Sequence, residues 1–226
     1  MSGGSRRNES ATSARARHGS SPIARILIVM YQPRIEVPGG YYHVCTRGNN
    51  RRAIFLDDRD RGVFLMMLRR LARKYGWAVY AYCLMTNHYH LLLQLSEGGL
   101  SRGMCELNGG FALDFNERHG RSEHLFGRRF WSDLLDHDSH LLASCRYIVL
   151  NPVRAGLSDD AGSWPWSSYG ACAGNELAPS FLAAGELLEL FGREPAKAQA
   201  AYRDYVSNGH VQRQPPWEKR DGTSVT

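Results

Sequence analysis

Lysine is scarce in this chain of 226 residues. Lys74, Lys197 and Lys219 are its lysines among 28 basic side chains, so arginine carries nearly all of the positive charge. Arginine suits phosphate because its planar fork donates two hydrogen bonds at once. Cysteine is also sparse: Cys45, Cys83, Cys105, Cys145 and Cys172 are odd in number, widely spaced and without a CxxC pair. That excludes a disulfide framework and a cysteine zinc site, and it fits a reduced, cytoplasmic setting. The longest apolar stretch near the start, Ile26 to Met30, is interrupted upstream by Arg25. It is too short to span a bilayer, and no small-residue cleavage site follows it, so neither export nor a membrane is expected.

Against these absences stands a hydrophobic fraction of 43%, enough for a packed core and too high for global disorder. The formal net charge of +6 favours a polyanionic partner, although only mildly on its own.

Residues 1–29 are rich in Ser, Gly, Ala and Arg at the start and carry no apolar period. Two expectations stand for them: a disordered basic arm in which Arg6, Arg7, Arg15, Arg17 and Arg25 reach DNA backbone, or a spurious extension with initiation at Met30. Residues 30–157 then read as one domain, and 158–226 as a C-terminal extension with a Trp-rich linker and an amphipathic helical stretch from Ala183 to Val206. Within the domain, Tyr41 to Thr46 is strand-like after the turn Val37-Pro38-Gly39-Gly40. Asp57 to Tyr75 has apolar residues Val63, Phe64, Met67, Leu68 and Leu71 at helical spacing, acids at its start and Gly76 at its end. Strands follow at Trp77 to Leu84 and His88 to Leu95. A helix comes next at Ser101 to Arg118, weakened by Gly109-Gly110. A short strand lies near Phe126 to Leu135, and a third helix runs from Ser139 to Leu150, stopped by Pro152. The order predicts an α+β, ferredoxin-like (split βαβ) antiparallel sheet with helices on one face, the other face being left open for a ligand.

The sharpest local feature is Asn87-His88-Tyr89-His90-Leu91-Leu92-Leu93. Side chains alternate across a strand, so His88 and His90 share one face while Tyr89, Leu91 and Leu93 take the other. Neutral imidazoles on one face suit Mn, Zn, Fe or Ni; the plainer reading is two polar residues on a wet face. In the third helix Tyr147 and Asn151 are one turn apart. A tyrosine hydroxyl, with a pKa of about 10, needs a cation or base to become a nucleophile. A neighbouring metal supplies that help, and Asn151 offers it an oxygen ligand. The plainer reading is a half-buried Tyr and an Asn that caps the helix.

Four segments extend the pattern: Pro33 to Val44, Thr46-Arg47-Gly48-Asn49, Met85 to Leu92, and Arg146 to Leu157; Trp166-Ser167-Ser168-Tyr169 adds a fifth. In order and spacing they resemble the HUH single-tyrosine transposases, most closely the REP-associated tyrosine transposase branch. The resemblance starts at Met30 and departs mildly at Thr86, where the family usually has Pro. It implies that His88-Tyr89-His90 is the HUH motif, that Tyr147 is the nucleophile and that Asn151 is the third ligand of Mg²⁺ or Mn²⁺. The implied reaction is strand transfer on single-stranded or hairpin DNA through a phosphotyrosine, with no nucleotide cofactor. Arg47, Asn49, Arg128, Arg129 and Arg154 are expected DNA contacts, with Arg51-Arg52 beside the first two and the rings of Phe130 and Trp131 beside the next. Trp164 and Trp166 are expected to pin the linker onto the core. The rival functions are a non-catalytic nucleic-acid-binding regulator derived from a transposase, and a metal nuclease that uses water. A covalent protein–DNA adduct separates the commitment from both. The oligomeric state, monomer or dimer, stays open.

Overall fold

Asp57 and Gly76 bracket the first long helix, α1 (Asp58–Tyr75): the Asp57 carboxylate accepts from the Asp60 N–H at 3.0 Å, and Gly76 closes the helix at φ 63°. Such a left-handed closing residue favours glycine because it has no Cβ. The structure is a computed structural model that describes residue 1, residues 36–135 and residues 138–209. The expectations for the arginine-bearing arm lie outside the described residues.

The chain runs β1 (Tyr41–Arg47), α1, β2 (Trp77–Leu84), β3 (His88–Leu95), α2 (Leu100–Arg118), β4 (Trp131–Leu134) and α3 (Asp138–Val149). The sheet order is β2-β3-β1-β4 and every pairing is antiparallel. Because β3 sits between β1 and β2, the helix that joins those two strands completes the expected split βαβ unit. β4 is shorter than expected; Phe126 contributes only an isolated bridge to Gly48.

α1 and α2 share one face of the sheet. Tyr89, Leu91, Leu93 and Leu95 meet Phe64, Leu68, Phe111 and Phe115 there, all buried. The Phe64 and Tyr89 rings are 4.6 Å apart, and the Tyr89 hydroxyl donates to Asn108 Oδ1 at 2.5 Å. α2 runs unbroken through Gly109-Gly110, since Leu107, Phe111 and Phe115 anchor it on the core. Gly103 is required: a Cβ there would come within 2.3 Å of the Trp77 ring. The start of α2 is capped from afar. The Glu36 carboxylate accepts from the N–H groups of Gly99, Leu100 and Ser101 at 2.7, 3.0 and 2.7 Å. Burial pushes this carboxyl up, but the bonds to Ser101, Gly99 and Leu100 outweigh it and hold it below its usual range.

The opposite face is not left open along its length, as the sequence reading expected. α3 lies against β2 and β3 there, because Leu141, Cys145 and Ile148 need burial of their own. The edge of β2 is closed by the Trp-rich segment, as expected of it. Leu84 N–H donates to Trp166 O at 2.8 Å, Ser168 N–H to Tyr82 O at 3.0 Å, and Trp164 Nε1 to Leu84 O at 3.2 Å. Beyond it come α5 (Tyr169–Ala173), α6 (Ala184–Glu189) and α7 (Pro195–Ser207), following the one-turn α4 (Asn151–Arg154). The stretch read as one amphipathic helix is therefore two, divided where Gly192 takes φ 145° and Pro195 opens α7.

Candidate active site

Alternation along β3 turns Tyr89 and Leu91 into the α1/α2 core and His88 and His90 to the face that α3 covers. The register sets Arg47 beside His88, Cys45 beside His90, and Cys83 of β2 on the other side of His90. The two imidazole rings are 5.1 Å apart, edge to face. They share a face, as the HxH spacing requires, but it is not a wet one: His90 is 5% exposed.

Each histidine has a partner at Nδ1. Asn87 Oδ1 lies 2.7 Å from His88 Nδ1. His43 Nε2, reaching across from β1, lies 2.9 Å from His90 Nδ1. The sequence reading did not single out His43. Its only signal was alternation, which sets His43, Cys45 and Arg47 on one side of β1; that this side faces His90 is a matter of strand pairing. Burial lowers the pKa of His43 to about 3. Burial, aided by the charge of Arg47, lowers His88 to about 4. Burial also holds His90 well below the usual range, with the charges of His43, His88, Arg47 and Arg154 adding to it. All three rings are therefore neutral at pH 7, which is the form that binds metals.

α3 brings Tyr147 over this group. Its ring centroid is 5.8 Å from that of His43 and 5.8 Å from that of His90. Just beyond, Pro152 has no N–H for the carbonyl of Ile148. Asn151 Nδ2 serves the exposed acceptors, donating to Tyr147 O at 3.0 Å and to Ile148 O at 3.4 Å. Arg154 Nη1 adds a bond to Tyr147 O at 3.3 Å, and its guanidinium carbon lies 4.2 Å from the centre of the Tyr147 ring. The expectation that Pro152 keeps Asn151 out of helical geometry is corrected. α3 stops at Val149, and Asn151 opens the one-turn α4, since proline is tolerated in the first turn of a helix.

The donor set fits a divalent ion. His88 Nδ1 faces an amide oxygen, so His88 keeps Nε2 for a ligand, and His90 does so when its Nδ1 carries the proton shared with His43. Two rings this close can reach one ion at the usual metal–nitrogen distance of about 2.1 Å. Asn151 spends its amide nitrogen on backbone carbonyls of α3, the helix-capping role, so only its oxygen could serve as a ligand. Among the described residues no group of three or more His, Cys, Asp and Glu is placed to hold a metal. His88 and His90 are thus the candidate ligands that the described residues place side by side.

The remaining candidates divide. Arg47, Arg128 and Arg129 are exposed, and Asn49 is half-buried with its N–H on Leu125 O at 2.8 Å. Arg154 belongs with Tyr147. Phe130 is buried in the core and unavailable for stacking on a base; Trp131 sets its ring edge to face with His43 at 5.3 Å.

A split βαβ sheet with paired strand histidines beneath a helix tyrosine is the arrangement that a resemblance to the HUH single-tyrosine transposases implies. The chain belongs to the IS200-like transposase family, whose pattern matches residues 36–149. It is thereby a transposase, an enzyme that acts on DNA. A protein of Haemophilus influenzae named for the REP-associated tyrosine transposases is 27% identical over 142 residues, 58% of this chain and 80% of the relative. The solved structure of a REP-associated tyrosine transposase bound to a REP hairpin superposes with a TM-score of 0.56 at 21% identity, covering 68% of this chain and 90% of that one. Among the described residues no helix is long and apolar enough to cross a membrane.

Proposed function

We propose that the protein cuts and rejoins single-stranded or hairpin DNA through a covalent bond to Tyr147, assisted by Mg²⁺ or Mn²⁺ on His88, His90 and Asn151. The observation that supports this reading is the approach of the Tyr147 ring to His90 and His43 at 5.8 Å.

The Tyr147 oxygen attacks a backbone phosphorus, and the bond from that phosphorus to the 3′ oxygen breaks. Tyr147 gives up its proton and the departing 3′ oxygen takes one, so the products are a 5′ phosphotyrosine and a strand ending in a 3′ hydroxyl. The reverse attack by a 3′ hydroxyl releases Tyr147 and rejoins DNA. One phosphodiester is exchanged for another at each step, so no nucleotide is consumed. A divalent ion at the histidines supplies Lewis acidity at the phosphate. Arg154, against the ring, meets the negative charge that Tyr147 gains as its proton leaves. Arg47, Asn49, Arg128 and Arg129 hold the strand by its backbone.

A hairpin is favoured as substrate because the structural relative holds one. The test is incubation of the full chain with single-stranded hairpin oligonucleotides and Mn²⁺, resolved on a denaturing gel. A protein band shifted by attached DNA is expected. Cleavage without such a band would point to hydrolysis by water, and binding without cleavage to a regulator.

A further inference from the structure

We propose that Asn87 and His43 are positioning residues that hold His88 and His90 in the Nδ1–H tautomer, so that both present an Nε2 lone pair to one ion. The purpose of the arrangement rests on the metal reading above; the arrangement itself is tested without metal.

The case for Asn87 begins at the turn after β1. Asn50 and Arg51 both take left-handed backbone conformations, at φ 51° and 58°, which asparagine adopts readily but arginine uncommonly, so neighbours hold the turn at Arg51. Asn87 is one such neighbour: its Nδ2 donates to Arg51 O at 3.0 Å, and its own carbonyl accepts from the Gly48 N–H at 2.8 Å. The bond to Arg51 O fixes which way the side-chain amide points. Reversing it would set oxygen against oxygen at Arg51 and the NH₂ group against His88. Oδ1 therefore faces His88 Nδ1 at 2.7 Å. An amide oxygen can only accept, so the proton must sit on His88 Nδ1, and Nε2 keeps its lone pair.

His90 is held by a different device. One proton is shared between His90 Nδ1 and His43 Nε2, 2.9 Å apart. Carried by His90, it leaves His90 Nε2 able to ligate; carried by His43, it forces the proton of His90 onto Nε2 and removes the ligand. His43 is 1% exposed, against Trp131 and Tyr147, so its ring is held in place beside His90, and acceptance at its Nε2 sets its own proton on Nδ1. An imidazole in water prefers its proton on Nε2. Without these two partners, the strand would offer its histidines mainly through Nδ1 and not through Nε2. Such outer partners typically change metal affinity by about 10–100-fold.

The test uses the full chain with ¹⁵N-labelled histidine, first free of metal. Long-range ¹H–¹⁵N correlation spectra should show His88 and His90 protonated at Nδ1. Either ring found protonated at Nε2 overturns the assignment for its partner. Calorimetric titration with Mn²⁺ follows. Asn87→Ala and His43→Phe should each weaken binding about 10–100-fold. His43→Gln, whose amide oxygen reaches the place of Nε2, should restore most of it, as should Asn87→Asp, which keeps an acceptor toward His88. Wild-type affinity in both Asn87→Ala and His43→Phe would overturn the proposal. Because His43→Phe sits in the core, its thermal melt is compared with that of His43→Gln, and the wild-type tautomers decide the matter if it fails to fold. Equal Mn²⁺ binding by wild type and His90→Ala would instead sink the metal reading, and the metal-free spectra would still judge the positioning.

Discussion

Arg154 lies over the ring of Tyr147, its guanidinium carbon 4.2 Å from the ring centre, while its Nη1 bonds the Tyr147 carbonyl. α3 ends at Val149, Pro152 lacks one backbone donor, and the one-turn α4 that follows carries Arg154 at its end. A cation held against an aromatic face contributes about 0.5–2 kcal/mol. Arg154→Gln is therefore expected to slow single-turnover cleavage by roughly 2- to 30-fold. Equal losses in binding and in cleavage would assign Arg154 to the DNA backbone instead.

Tyr147→Phe should abolish both the covalent adduct and cleavage while leaving DNA affinity within about twofold, since one hydroxyl is removed from a packed ring. Nicking at the wild-type rate by the Phe variant would remove Tyr147 from the mechanism.

His88→Ala and His90→Ala should each lower metal-dependent cleavage by at least about 100-fold, and excess chelator should do the same to wild type. The two variants differ in their structural consequences. His90 is buried and its loss leaves a cavity beside His43, whereas His88 is only half-buried. A larger drop in melting temperature is expected for His90→Ala. Full cleavage in excess chelator would dismiss the ion.

Affinity for a hairpin or single strand should exceed that for a blunt duplex of the same sequence and fall as salt rises. For single strands the slope is about −0.7 per phosphate contact. Arg128→Ala and Arg129→Ala, both at exposed positions, should each make that slope shallower by about one contact. Filter binding over a salt series measures it; an unchanged slope in the double variant would place the strand elsewhere.

Acid should weaken the junction of α1 with α2. The Asp57 carboxyl is held below its usual range, first by its hydrogen bonds from Arg118 and then by the Asp60 N–H. A depressed carboxyl adds stability above its unfolded pKa of about 3.9, and this is lost as pH falls toward the folded value. Asp57→Ala should accordingly melt below wild type at pH 7, with the gap narrowing below about pH 4. A gap that stays constant to pH 3 would show that the ion pair contributes nothing.

Much of the fold is local and was legible in the residues. Asp57, Gly76 and the spacing of Phe64, Leu68 and Leu71 specify α1. Strict alternation specifies β3 and the common face of His88 and His90, and the one-turn spacing of Tyr147 and Asn151 follows from helical geometry alone. What could not be read was every relation that joins distant segments. Glu36 caps α2 from more than sixty residues away, and His43 meets His90 through the pairing of β1 with β3. Even the burial of His90 was invisible, because a strand's alternation says which side chains share a face and not what will cover it. Periodicity, capping and turn chemistry act over a few residues, so the sequence by itself determined the elements and the common face of the two histidines. Register, helix placement and the second layer of hydrogen bonds arise only when apolar faces from separate elements are buried together, and the tertiary structure decided them.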